Sequence, residues 1–175
     1  MREALASFVK VDAEQVGDEK AIYDLTERAF APMPFSDGDE QDLINALRDH
    51  GALTISLVAK HEDKIIGHIA FSPAFPDDGS TGWYALGPVS VEPDVQKSGV
   101  GSQLIHKGLD MLRARGAAGC ILVGNPEYYK RFGFEVVSKS CPDGEPSEYY
   151  QMIWFHGEKP EQVIGFHKLF HPEEN

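Results

Sequence analysis

Apolar residues over the first fifty positions change spacing twice. Residues 8–11 alternate apolar and polar, which predicts a short first strand. Ile22, Leu25, Ala29 and Phe30 then recur at helical spacing after Gly17-Asp18-Glu19, with Asp18 placed as an N-cap. The proline-bearing stretch 31–36 breaks that helix, and Leu43, Ile44 and Leu47 predict a second short one ending at Gly51. Residues 53–60 and 65–71 read as two strands of a hairpin around a polar turn at 61–64. Residues 72–82, rich in Pro, Asp and Gly, predict a mobile loop. The next strand covers about 83–92. Gly87-Pro88 inside it conflicts with a regular central strand, because proline cannot donate to the ladder, and a bulge there resolves the conflict.

From residue 99 to about 115 the spacing is helical again. Leu104, Ile105, Leu109, Met111 and Leu112 form the apolar side, and Gly116 stops the helix. Residues 120–123 are a buried strand, 127–131 a short helix, and 134–137 and 149–155 two more strands, with 163–169 a candidate edge strand. The strand-helix-strand unit over 83–123 should be parallel and right-handed, and the hairpins antiparallel. Fold class is therefore α/β (α+β): a mixed, mostly antiparallel central sheet with one parallel strand pair, flanked by helices. A length of 175 residues suits a single domain over 1–175.

Composition adds exclusions. A net charge of −12 argues against a DNA-binding surface and is compatible with cationic partners, amines included. No apolar run is long enough to span a bilayer, and Met1-Arg2-Glu3-Ala4-Leu5 lacks the features of a signal peptide. Two cysteines, Cys120 and Cys141, predict neither a disulfide framework nor a metal site, and a cytoplasmic location is the default.

The candidate chemistry lies in Val89-Ser90-Val91-Glu92-Pro93-Asp94-Val95-Gln96-Lys97-Ser98-Gly99-Val100-Gly101-Ser102. A strand enters a loop with two glycines, and the loop opens a helix. The first turn of a helix has N–H groups without intrahelical partners and a positive dipole end, so the segment can cradle a phosphate. A P-loop would need Gly-Lys-Ser/Thr, which is absent. A dinucleotide fingerprint would need a third glycine where Leu104 stands. The remaining pattern is Gln-x-x-Gly-x-Gly, carried by Gln96, Gly99 and Gly101; the plainer reading is a glycine-bearing helix start that binds nothing.

This pattern resembles the pyrophosphate loop of the GNAT acetyltransferases. Val91-Glu92-Pro93 before it and Tyr129-Lys130-Arg131-Phe132-Gly133-Phe134 after the next strand resemble two further steps of that superfamily. The likeness covers roughly 18–155. The combination of residues 67–73 with 125–129 resembles a bacterial predicted-acetyltransferase subfamily.

The resemblance implies acetyl transfer from acetyl-CoA, the co-substrate, to a primary amine on a small molecule or a protein, by direct attack in a ternary complex. A catalytically silent acyl-CoA sensor is the alternative. It implies that the parallel pair splays, that the pantetheine arm pairs with Val89, Ser90 and Val91, and that an N–H such as that of Val91 holds the developing oxyanion. The amides of Gln96, Lys97, Ser98, Gly99, Val100, Gly101 and Ser102 would hold the pyrophosphate, and the Lys97 side chain either adds a contact or is solvated. Tyr129 is implied as the general acid, or as a packing residue. Asn125 either bonds the pantetheine arm or caps the short helix. Two residues compete as general base, Glu92 and His68, each with a purely structural alternative. A homodimer is compatible with the resemblance.

Overall fold

The computed structural model describes residue 5 and residues 7–171, and the sequence reading of residues 1–4 lies outside them. Among the described residues, nine strands form a seven-stranded sheet in the order β1-β2-β3-β5-β6-β8-β7 and a separate pair, β4-β9. The chain divides into two compact units. One holds the described residues up to Phe71 together with Gly87–Gly108, and the other holds Ser72–Leu86 and the described residues from Leu109 onward. Strand β5 (Trp83–Val91) and helix α3 (Val100–Ala114) run through both.

In the first unit, β1 (Lys10–Ala13), β2 (Ile55–His61) and β3 (Lys64–Pro73) pair antiparallel. Strand β1 starts two residues later than the alternation at 8–11 suggests, and Phe8 is 71% exposed, so no apolar contact recruits it. Glu62 and Asp63 turn the β2–β3 hairpin with φ of 50° and 65°, the left-handed pair that matches strand twist in a two-residue loop. Side chains alternate across this hairpin. Val58 and Ala70 face helices α1 (Glu19–Phe30) and α2 (Glu40–Asp49), where Ile22, Leu25 and Ile44 cluster with them. Helices of twelve and ten residues are marginal alone, so this burial is what holds them. Asp18 sits at the N-cap of α1 without capping it. Its carboxylate instead accepts from the Gln15 N–H at 2.8 Å.

The opposite face of β3 carries α3. A Cβ on Gly67 would lie 2.9 Å from Val100 Cγ1 and 3.0 Å from Leu104 Cδ1; one on Gly108 would lie 2.2 Å from the Phe71 ring. Both glycines are therefore set by close approach of helix to sheet, and Gly67 determines where the first turn of α3 rests.

The second unit holds the parallel pair. The register between β5 and β6 (Gly119–Val123) is Trp83↔Gly119, Tyr84↔Cys120 and Ala85↔Ile121. Strand β5 runs six residues beyond Ala85, to Val91. At the expected irregularity, Gly87 has φ of 131° and the Gly87-Pro88 bond is cis. Strand β8 (Tyr150–Trp154) pairs antiparallel with β6 and with the short β7 (Glu135–Val136). The segment read as a mobile loop over 72–82 is partly tied down. Strand β3 extends to Pro73, and β4 (Phe75–Pro76) pairs with β9 (Ile164–Gly165). The candidate edge strand near the C-terminus is thus a partner of that segment and lies outside the main sheet. Tyr150, fully buried, locks it by donating to the Ile164 carbonyl at 2.7 Å. Among the described residues no helix is long and apolar enough to cross a membrane.

Candidate functional site: a loop of free amides

In the first unit, β5 leaves the sheet at Glu92, whose N–H donates to the Ile66 carbonyl at 2.8 Å. Pro93–Val95 make one 3-10 turn, closed by Val95 N–H to the Glu92 carbonyl at 2.9 Å. The loop then folds back on itself through side chains. Gln96 Nε2 donates to the Val91 carbonyl at 3.2 Å, and Ser98 Oγ donates to the Val95 carbonyl. Lys97 (φ 63°) and Gly99 (φ 91°) both adopt left-handed backbone, and for lysine that conformation is strained. Ser98, between them, is buried, while Lys97 and Gly99 are exposed.

Among the described residues, no N–H from Gln96 to Ser102 donates to another group of the chain. The first bonded amide of this stretch is that of Gln103, to the Gly99 carbonyl at 3.1 Å. The alternating backbone and the first turn of a fifteen-residue helix leave a run of unpaired donors beside a positive dipole end. No acidic side chain lies in that first turn to compete for them. This arrangement can hold a di-anionic phosphate group.

The side chains named as bases are placed differently. Glu92 receives two hydrogen bonds from Arg28, Nε to Oε1 at 2.9 Å and Nη2 to Oε2 at 2.8 Å. Those bonds hold its carboxyl below the usual carboxylate range and commit both oxygens. His68 lies on the α1/α2 face of β3, fully buried, with Nε2 2.8 Å from Ser56 Oγ. Burial pushes its pKa down to about 4, so it is neutral at neutral pH. Ser56 in turn donates to Glu14, which is paired with Arg48 at 2.9 Å. On β5, Val89 and Val91 are half-buried, and Ser90 is buried with a hydroxyl that has no partner.

In the second unit, Asn125 closes β6 and caps α4 (Pro126–Tyr129) by accepting from the Glu127 N–H at 3.0 Å. Tyr129 ends α4. Its ring packs edge-on to Phe134, with centroids 6.0 Å apart, and lies over Gly124, where a Cβ would approach Cε2 to 2.6 Å. Among the described residues its hydroxyl has no hydrogen-bond partner. Burial pushes the phenol above its ordinary range, so it carries its proton at neutral pH. Lys130 and Arg131 are committed locally, to Glu127 at 2.7 Å and to the Tyr128 carbonyl at 2.8 Å.

Sequence reasoning missed Arg28, Glu14, Ser56 and Arg48, which fix the two base candidates, and Gly67 and Gly124, which seat the helix start and the Tyr129 ring. The glycines are visible as letters, but their roles depend on contacts across the sheet or around a turn.

A mixed sheet whose central strand opens into a free-amide loop at a helix start defines an α/β protein with a donor set suited to an anion. Residues 20–134 match the family model described as the acetyltransferase (GNAT) family, and the chain belongs to that family. The uncharacterized N-acetyltransferase YhbS of Escherichia coli strain K12 is 35% identical over 105 residues, 59% of this chain and 63% of that protein. YjhQ of the same organism, also an uncharacterized N-acetyltransferase, is 38% identical over 67% of this chain and 65% of its own length. The chain therefore spans less than two thirds of these curated relatives. Two solved structures align more fully. A GNAT family acetyltransferase from Brucella melitensis, in complex with acetyl-CoA, superposes with a TM-score of 0.83 at 40% identity, covering 93% of this chain and 97% of that one. E. coli YhbS in complex with CoA gives a TM-score of 0.84 at 27% identity, covering 93% and 91%.

Proposed function

We propose that the chain is an acetyl-CoA-dependent N-acetyltransferase that moves an acetyl group to a primary amine by direct attack. The observation that carries this reading is the run of unpaired amides from Gln96 to Ser102, a donor set suited to the diphosphate of coenzyme A. Family membership and the CoA-bound relatives support it.

In this reading the pantetheine arm lies along Val89, Ser90 and Val91, and the Val91 N–H stabilises the oxyanion that forms when the amine adds to the thioester carbonyl. Asn125, whose Oδ1 serves the helix cap, offers its amide Nδ2 to that arm. The C–S bond then breaks, and the Tyr129 phenol gives its proton to the departing thiolate. A lysine-like amine has a pKa of about 10.4, so its neutral form costs roughly 4.6 kcal/mol at pH 7, and a proton acceptor is needed on that side. Of the two base candidates, Glu92 has both oxygens bound to Arg28, whereas His68 keeps an uncommitted nitrogen. A net charge of −12 favours a cationic acceptor, whether a small amine or a protein amine. A cytoplasmic location and a homodimer are both compatible with this reading.

Incubation with acetyl-CoA and a panel of primary amines tests this directly. Free thiol should appear only when an amine is present. Acetyl-CoA should also raise the melting temperature as RT ln(1 + [L]/Kd) requires, where ATP and NAD do not. Stabilisation by acetyl-CoA with no thiol released by any amine would make the protein a silent acyl-CoA binder.

A further inference from the structure

Glu14, just past the end of β1, Ser56 on β2 and His68 on β3 form a chain whose proton positions follow from its hydrogen bonds. Glu14 is held ionised: although burial opposes it, hydrogen bonds from Arg48 and Ser56 lower its pKa. An ionised carboxylate has no proton to give, so the hydrogen between Ser56 Oγ and Glu14 Oε1 belongs to Ser56. Ser56 has no other hydrogen. The 2.8 Å contact with His68 must therefore be donated by Nε2–H. A neutral imidazole with its proton on Nε2 has a bare lone pair on Nδ1, and Nδ1 is buried without a partner. Buried polar atoms without partners are uncommon and call for an explanation.

A second orphaned atom lies on the neighbouring strand. Among the described residues the buried Ser90 hydroxyl bonds neither His68 Nδ1 nor any other group, so Nδ1 stays uncommitted.

We propose that Glu14 and Ser56 are positioning residues that hold His68 as its Nε2–H tautomer, so that Nδ1 is free to receive the proton leaving the amine. The inference rests on the acetyl-transfer reading. As the amine nitrogen bonds to the acetyl carbon, its proton passes to His68 Nδ1. The C–S bond breaks, and the thiolate is protonated by Tyr129. His68 returns its proton to solvent and Tyr129 recovers one. The Glu14 carboxylate, acting through Ser56, stabilises the transient imidazolium without itself being protonated. The Arg48 guanidinium opposes that charge, so the carboxylate must lie on the imidazole side of the pair, as it does through Ser56.

Nitrogen-15 spectra of the His68 ring, recorded on the intact protein without substrate, should show a protonated Nε2 and a bare Nδ1. Ser56→Ala should populate the other tautomer and lower kcat about 10- to 100-fold with little change in KM for acetyl-CoA. Ser56→Thr, which keeps the hydroxyl, should restore both, and His68→Gln should lower kcat at least as far. A wild-type ring protonated on Nδ1, or a folded Ser56→Ala or His68→Gln protein with wild-type kcat, overturns the inference and leaves the transfer reading standing. A wild-type protein that releases no thiol with any amine overturns both.

Discussion

Gly101→Glu should abolish acetyl-CoA binding while the protein stays folded. Gly101 lies in the first turn of α3, among the amides that have no partner among the described residues. A glutamate there brings its own carboxylate to the positive end of the helix and competes for those donors at high effective concentration. It also sets a negative charge beside two phosphates. We expect Kd for acetyl-CoA to rise by at least about 100-fold, near 2.7 kcal/mol. Stability should not suffer. Glutamate is the better helix former by up to about 1 kcal/mol, and a first-turn carboxylate is itself favourable. Calorimetric titration with unchanged circular dichroism checks both halves. Unaltered affinity in a folded variant would remove the loop from the binding site.

Tyr129→Phe should lower kcat by about 10²- to 10⁴-fold, the usual contribution of a positioned acid, and leave KM within a small factor. The ring is anchored by Phe134, Tyr128 and Gly124, and phenylalanine keeps that packing. Only the hydroxyl is lost, and it bonds no other described residue, so the fold has nothing to forfeit. Burial makes the phenol a weaker acid than free tyrosine, yet it ensures that the proton is present when the thiolate departs. A loss confined to KM would make Tyr129 a residue that positions coenzyme A.

Local features were legible in the sequence because local spacing encodes them. The hairpin around 61–64, the helix after Gly99, the parallel β5–β6 pair and the Gln96–Gly99–Gly101 pattern are written within short windows. Gly87-Pro88 announced an irregular strand, and the backbone is irregular there. Elements that depend on distant partners were read less well. Pro, Asp and Gly over 72–82 suggest a loop, but pairing with Ile164 and Gly165 supplies the bonds that make part of it a strand. The environment of Glu92 is set by Arg28, 64 residues away, and that of His68 by Glu14 and Ser56, brought together only when β1, β2 and β3 align. No periodicity within a window reports such pairs. Asp18 shows the converse: a residue type suited to capping took a neighbouring turn amide instead.

Titration of nitrogen-15-labelled protein with coenzyme A, followed amide by amide, tests the central claim most directly. The resonances of residues 96–102 should move further than any others and saturate together as the diphosphate takes up their hydrogens. Binding of coenzyme A that leaves those resonances in place, with the large shifts elsewhere, would contradict the account.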